Sequence, residues 1–196
     1  MIVQHSDKSD QWGTPQDVIE AAREVMGSIN FDPCSSAEAN ERVRAEAYST
    51  DGLNTKQVWH GSVLMNPPGG RTKNPTENVF FSSAVSLPEL FWRRLMIEAN
   101  YMKSPSLGRG GEVGQAVVVG FTLEQLRMTQ RAELSMLDFP FCVPAKRLKF
   151  FPLRGQKATS PAHSNVLVYV PGSENRTETF VKVFSQFGKV VVPCAR

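Results

Sequence analysis

Residues 115–121 read Gln-Ala-Val-Val-Val-Gly-Phe, an apolar run in which no polar residue interrupts Ala116 to Val119. A strand with one wet face alternates apolar and polar residues, whereas a strand covered on both faces reads as a continuous apolar stretch. Valine is stiff at χ1 and suits pleated backbone. The run therefore predicts a central strand with helices packed on either side. Thr122 to Leu134 follows at once with helical spacing, and Thr122 with Gln125 has the form of a capping box.

Working outward, the same alternation of element types continues to both ends of the chain. Thr14 to Met26 predicts a helix, with Thr14 as N-cap, Pro15 in the first turn and Asp17 as the capping-box acceptor. Val18, Ile19, Ala22, Val25 and Met26 fall on one face of it, and Gly27 supplies the stop. Ser28 to Asp32 and Ser62 to Met65 read as short strands, separated by a weak helix over Glu38 to Ala47. Leu87 to Met102 is helical. Phe139 to Val143, Arg147 to Phe151 and Asn165 to Val170 (NVLVYV) read as strands. Thr177 to Phe187 is a helix with Phe180, Val181, Phe184 and Phe187 inward, and Lys189 to Val192 is a last strand. Glycine- and proline-dense stretches at Gly69 to Asn78, Lys103 to Gly114 and Arg154 to Ser164 read as mobile loops. The expectation is an α/β fold built on a mostly parallel sheet with helices on both faces. Residues 1–196 form a single domain whose first ten residues make a flexible arm.

The bulk properties narrow the function. The 196 residues are 41% hydrophobic and 21% charged, ordinary for a globular chain able to bury a full core. A formal net charge of +3 is compatible with a nucleic-acid partner without requiring one. Cys34, Cys142 and Cys194 are odd in number and widely spaced, against a disulfide framework. His5, His60 and His163 do not group with cysteines or acids at metal-ligand spacing, so no metal site is expected. No apolar run approaches the roughly 20 residues that span a bilayer. The N-terminus lacks the apolar core of a signal peptide. No membrane association and a cytoplasmic location are expected.

Two strands end in unusual residues: Phe31-Asp32-Pro33-Cys34-Ser35-Ser36, and Leu64-Met65-Asn66-Pro67-Pro68-Gly69. Ligands of open α/β sheets bind at the carboxyl ends of strands. Two successive prolines have fixed φ and no N–H, so the turn is rigid and its carbonyl oxygens stay free to accept. The Asn66 side-chain oxygen is a further acceptor. Two acceptors fixed side by side suit an aromatic amine, whose lone pair is delocalised into its ring. Drawing both N–H bonds off the ring plane, toward Asn66 and the Pro67 carbonyl, frees that lone pair to act as a nucleophile. A plain Asn-Pro turn is the alternative.

The chain resembles the phage-type DNA N6-adenine methyltransferases. The resemblance is carried by Trp12-Gly13-Thr14-Pro15, Phe31-Asp32-Pro33-Cys34-Ser35, Asp51-Gly52-Leu53, Trp59-His60-Gly61 and Asn66-Pro67-Pro68, five pieces in order within 60 residues. It continues more loosely through Arg147-Leu148-Lys149-Phe150 and the NVLVYV strand. It implies a Rossmann-like methyltransferase fold of reduced size, with S-adenosylmethionine as cofactor and double-stranded DNA as partner. It further implies a phage origin, action in the host cytoplasm and a role in shielding DNA from restriction. By the same resemblance Trp12, Thr14 and Pro15 close over the methionine part of the cofactor. Asp32, Pro33, Cys34 and Ser35 form the cofactor loop, with Asp32 on the ammonium group, and Asp51 receives the cofactor's adenine. Asn66, Pro67 and Pro68 match the catalytic tetrapeptide, and Asn66 also contacts the cofactor.

The chain departs from that pattern in three places. Gly69 stands where the tetrapeptide usually has an aromatic residue stacked on the extruded base, and Phe80, Phe81 and Phe150 are the candidates to replace it. The cofactor loop lacks the GxG common among methyltransferases. Only about 30 residues separate Asp32 from Asn66, so the far side of the sheet must be shortened. Glu38 and Glu41 are guesses for a ribose-binding acid.

Simpler roles stand beside several of these. Trp12 is either a lid or a staple at the helix start, Asp32 a cofactor ligand or a strand-end cap, and Asp51 a cofactor ligand or the start of an Asp-Gly turn. Arg147 and Lys149 alternate with Leu148 and Phe150, as either a half-exposed edge strand or a phosphate-contacting surface. Arg71 and Lys73, directly after the catalytic turn, are better placed to meet DNA. Cys34 after Pro33, with Glu77-Asn78-Val79 downstream, suggests a cytosine C5 methyltransferase. That idea is set aside because the cysteine follows the first strand directly, with no glycine-rich motif before it. The expected chemistry is extrusion of the base and in-line attack of its amine on the cofactor's methyl group, with no covalent enzyme intermediate and no metal. Cytosine N4, a protein glutamine amide, and an inactive DNA-binding relative are the rival outcomes.

Overall fold

The computed structural model describes residues 12–71, 86–103, 111–120, 123–130, 134–153, 164–173 and 175–194. The arm over residues 1–10, Lys73, Phe80, Phe81, the Thr122 cap and most of the three glycine-rich loops lie outside the described residues. The element order is β1 (Trp12–Gly13), α1 (Gln16–Met26), β2 (Phe31–Asp32), α2 (Ala37–Val43), β3 (Ala47–Tyr48), β4 (His60–Met65), α3 (Leu87–Glu98) and β5 (Glu112–Gly120). There follow α4 (Leu123–Thr129), β6 (Phe141–Pro144), β7 (Phe151–Pro152), β8 (Val166–Val170), α5 (Thr177–Phe184) and β9 (Gly188–Val191).

Seven strands form one sheet in the order β3-β2-β4-β5-β8-β6-β9, while β1 and β7 pair in a separate two-stranded strap. The fold is mixed α/β. The sheet is less parallel than the sequence suggests. The pairings among β3, β2, β4 and β5 are parallel, but β8 runs antiparallel to both β5 and β6, and β9 antiparallel to β6. Continuous apolar runs such as NVLVYV report burial on both faces, and burial carries no information about strand direction.

The period-two geometry of strands divides the core cleanly. Val117 and Val119 on β5, Leu64 on β4 and Leu167 and Tyr169 on β8 face α1 and α5. Ala116, Val118, Val63, Met65, Val166, Val168 and Val170 face the opposite way, against α3 and Leu126 of α4. Helices therefore cover both faces. Buried Phe180, Val183 and Phe184 anchor α5, with Val183 in place of the expected Val181.

The start of α1 differs from the expectation in one respect that bears on the site. Pro15, not Thr14, is its N-cap residue, with no side-chain capping bond, and the Asp17 carboxylate accepts from its neighbour Val18 N–H. Thr14 is thereby released from capping duty. The other end follows the pattern: Gly27 sits at φ 84°, in the left-handed region, and its N–H donates to the Arg23 carbonyl at 2.7 Å. Arg147 to Phe150 is not a strand, although its alternation survives as exposed Arg147 and Lys149 against buried Leu148 and Phe150. Among the described residues, no helix is long and apolar enough to cross a membrane. None of their His, Cys, Asp and Glu side chains gather in groups of three or more that could hold a metal ion.

Candidate active site

β2 and β4 are neighbours, paired at Phe31 and Val63. The chain leaves them in opposite directions, from β2 through α2 to β3 on one side and from β4 through α3 to β5 on the other. Such a reversal of strand order opens a crevice beyond the carboxyl ends of the two strands. A cavity of about 220 Å³ occupies it. Its walls come from four separate segments: residues 32–36 at the end of β2, residues 50–53 after β3, residues 66–68 after β4, and the strap and its flanks, through Trp12, Gly13, Thr14 and Leu153. Ala39 and Val43 on α2 and Leu87 and Phe91 on α3 complete it.

Asp32 is 4% exposed and has no basic side chain paired to it among the described residues. Burial pushes its carboxyl up to about 7, opposed in part by the Cys34 N–H at 2.9 Å and by the Ser35 hydroxyl. Burial, and then the Asp32 charge, hold the Cys34 thiol well above its usual value, so it is a poor nucleophile. A buried carboxylate with no protein cation beside it is a ready place for a cationic ligand.

Asn66 offers the complementary feature. Its Nδ2 donates to the Trp12 carbonyl at 2.9 Å. Its Oδ1 is buried with no hydrogen-bond partner among the described residues. An acceptor buried and unsatisfied costs about 1–3 kcal/mol, which a ligand N–H would recover.

The wall carrying Asp51 is held from behind by groups that carry no sequence signal. Arg94 and Glu98 on α3 are fully buried and paired at 3.0 Å. The Arg94 guanidinium also donates to the carbonyls of Gly52 at 2.6 Å, Asn54 at 2.7 Å and Gln57, and it lies 4.9 Å over the Trp59 ring. Trp59 Nε1 donates to the same Gly52 carbonyl at 3.1 Å. The Asp51-Gly52-Leu53 and Trp59-His60-Gly61 motifs thus meet at one oxygen. Gly52 itself is obligatory: a Cβ there would lie 2.1 Å from the Pro33 carbonyl oxygen and 2.8 Å from Phe91. Gly52→Ala is expected to force the two walls apart and to destabilise the fold by about 1–3 kcal/mol, as overpacking does. A thermal melt unchanged from wild type would contradict this.

No protein-family model matches this chain, and no curated protein does.

Eight residues assigned to the cofactor from sequence, Trp12, Thr14, Asp32, Pro33, Cys34, Ser35, Asp51 and Asn66, line the one cavity together with Pro67 and Pro68. Pro15 is buried beside it and does not line it. Glu38 and Glu41 are exposed on α2 and lie off the cavity lining. Arg71, Arg147 and Lys149 are exposed and away from the cavity walls. Phe150 is 6% exposed within the core beneath α1, so it is packed where it cannot stack on a base. Phe91, Leu153 and Thr50 are wall residues without a sequence signal. Phe91 reads as ordinary helix core, and Leu153 reaches the cavity only through the strap.

Proposed function

We propose that the protein transfers a methyl group from S-adenosylmethionine to an exocyclic amine of DNA, adenine N6 by preference, on a Rossmann-like methyltransferase fold. The observation that carries this reading is that one cavity is lined both by Asn66, whose Oδ1 is a buried acceptor with no partner among the described residues, and by Asp32, a buried carboxyl with no basic side chain paired to it among them. The strand reversal between β2 and β4 supports the fold assignment, since dinucleotide-like ligands lodge at such points. The antiparallel half of the sheet supports it less.

S-adenosylmethionine, when bound, supplies an electrophilic methyl group on a sulfonium. The residues of this chain would do the rest. Asp32 holds the ammonium of the ligand's amino-acid end. Leu53 and Phe91 would give its flat adenine an apolar wall, with Asp51 beside Leu53 to accept from its amino group. Asn66 Oδ1 accepts an N–H of the target amine and so turns its lone pair away from the ring. Pro67 and Pro68 keep that oxygen from drifting, so little reorganisation is needed at the reacting centre.

Titration calorimetry with S-adenosylmethionine, followed by mass spectrometry of nucleosides from treated DNA, tests the reading. N6-methyladenine is the expected product; N4-methylcytosine would move the target to cytosine, and absence of binding would remove the enzyme reading. The pH dependence is distinctive. The folded chain keeps a proton on Asp32 up to about pH 7, while the unfolded chain releases it near pH 4. The ligand-free protein therefore loses stability as pH rises through that interval. A cationic ligand prefers the ionised carboxylate, so its affinity is expected to run the other way, rising by up to about tenfold from pH 6 to pH 8. Asp32→Asn should flatten that rise; an unaltered rise in the variant would excuse Asp32 from ligand binding.

Gly69 is the departure that most affects the target base. A Cβ at this position meets nothing within 4 Å among the described residues. Gly69→Tyr is expected to fold normally and to tighten the base complex, since stacking contributes about 1–3 kcal/mol. A tyrosine variant with unchanged KM for DNA would show that the base does not pass position 69.

A further inference from the structure

The hydrogen bond that orients Asn66 originates outside the main sheet. Trp12 and Gly13 are held by pairing with Pro152 and Phe151. The Arg42 guanidinium of α2 lies 3.9 Å over the Phe151 ring and clamps the strap from the other side. A carbonyl oxygen only accepts, so the atom of Asn66 that meets Trp12 must be the nitrogen. The oxygen is left as the free acceptor, buried and unpartnered.

We propose that the Trp12 carbonyl, fixed by the β1–β7 strap, is the positioning group that requires asparagine rather than aspartate at residue 66. It decides which atom of that side chain meets the incoming amine. The inference rests on the methyl-transfer reading of Asn66. An aspartate would offer the amine the same accepting oxygen. Its second oxygen, however, would face the Trp12 carbonyl, acceptor against acceptor. Only the protonated carboxyl, donating to Trp12, reproduces the bonding of the amide. The titratable side chains sharing the cavity are Asp32 and Cys34 from the segment after β2 and Asp51 from the segment after β3. Arg42 on α2 touches the strap through Phe151. A second acid close to Asp32 favours the protonated form of one of the two, which places the titration of the carboxyl introduced by Asn66→Asp inside an accessible range.

The test compares wild type, Asn66→Ala, Asn66→Asp, Phe151→Ala and the double variant Asn66→Asp/Phe151→Ala, measuring kcat and KM with labelled S-adenosylmethionine and a DNA duplex between about pH 5.5 and about pH 8.5. Dividing each profile by the wild-type profile leaves what the second carboxyl adds, the two acids of Asn66→Asp titrating as a coupled pair. The kcat of Asn66→Asp should be down on the order of 100-fold at the alkaline end and should recover by about tenfold per pH unit toward the acid end. Its melting temperature relative to wild type should follow the same course, a readout independent of any substrate. Phe151→Ala should lower kcat more than it changes KM, and should add little in the Asn66→Asp background, since the two changes act on one contact. A pH-independent ratio, or full additivity, overturns the positioning role. If Asn66→Asp does not fold, Phe151→Ala decides alone: an unchanged kcat overturns the proposal. An active Asn66→Ala would instead overturn the methyl-transfer reading itself, and an inactive Asn66→Ala beside an Asn66→Asp fully active at alkaline pH would overturn only the positioning.

Discussion

Asn66→Ala is expected to lose methyl transfer by a factor on the order of 10²–10³, as when a pre-aligned hydrogen-bonding group is removed from a reacting centre, while S-adenosylmethionine affinity changes little. The asymmetry follows from where the two ends of the cavity lie. In the proposed reading Asp32, the last residue of β2, would hold the ammonium and the loop of residues 50–53 the adenine side, leaving the Asn66 oxygen to the amine. The variant should also melt close to wild type. It loses the 2.9 Å bond to the Trp12 carbonyl, but it also removes a buried acceptor that has no partner, and the two changes oppose each other. In the proposed reading, an oxygen kept buried and unsatisfied would be a stability cost retained for chemistry. Single-turnover transfer and a melting curve on the same preparation decide the matter; full transfer by Asn66→Ala would take the residue out of the mechanism.

The second large effect is on folding. Arg94→Met is expected to destabilise the protein by about 3–5 kcal/mol, because it takes the cation away from the fully buried Glu98 carboxylate. It also leaves the carbonyls of Gly52, Asn54 and Gln57 without the donor that gathers them. With total stabilities of about 5–15 kcal/mol being usual, much of the folded population is at stake. For a chain of this size the melting temperature should fall by roughly 6–20 °C. Removing the second charge as well, in Arg94→Met/Glu98→Met, should recover part of the loss. A double variant no more stable than the single one would show that the carbonyl contacts, not the ion pair, dominate.

Much of the site is legible in the sequence, for a physical reason. Asp32 and Asn66 each follow a buried strand, and strand ends at a reversal of order must converge, so residues far apart in sequence share one cavity. The apolar runs at 115–121 and 165–170 likewise announce two-sided burial. Direction does not follow from them, which is why the antiparallel course of β8 is hidden from the sequence. The strap is invisible there because two-residue strands have no periodicity, and with it go Leu153 and the orientation of Asn66. Arg94 gives no signal because a charged residue inside an apolar helix is ordinarily a solvated one. Phe150 carries an alternation that is correct about burial and silent about which cavity it faces.

The pairing of residues 12–13 with residues 151–152 also bears on synthesis. A chain emerging from the ribosome carries Asn66 and Asp32 early, but the segment that caps them waits for a partner some 140 residues later. Contacts of such wide separation form late in folding. Ligand-binding competence should therefore appear only in nascent chains that extend past residue 152, and a bulky fusion at the N-terminus should impair the protein more than one at the C-terminus.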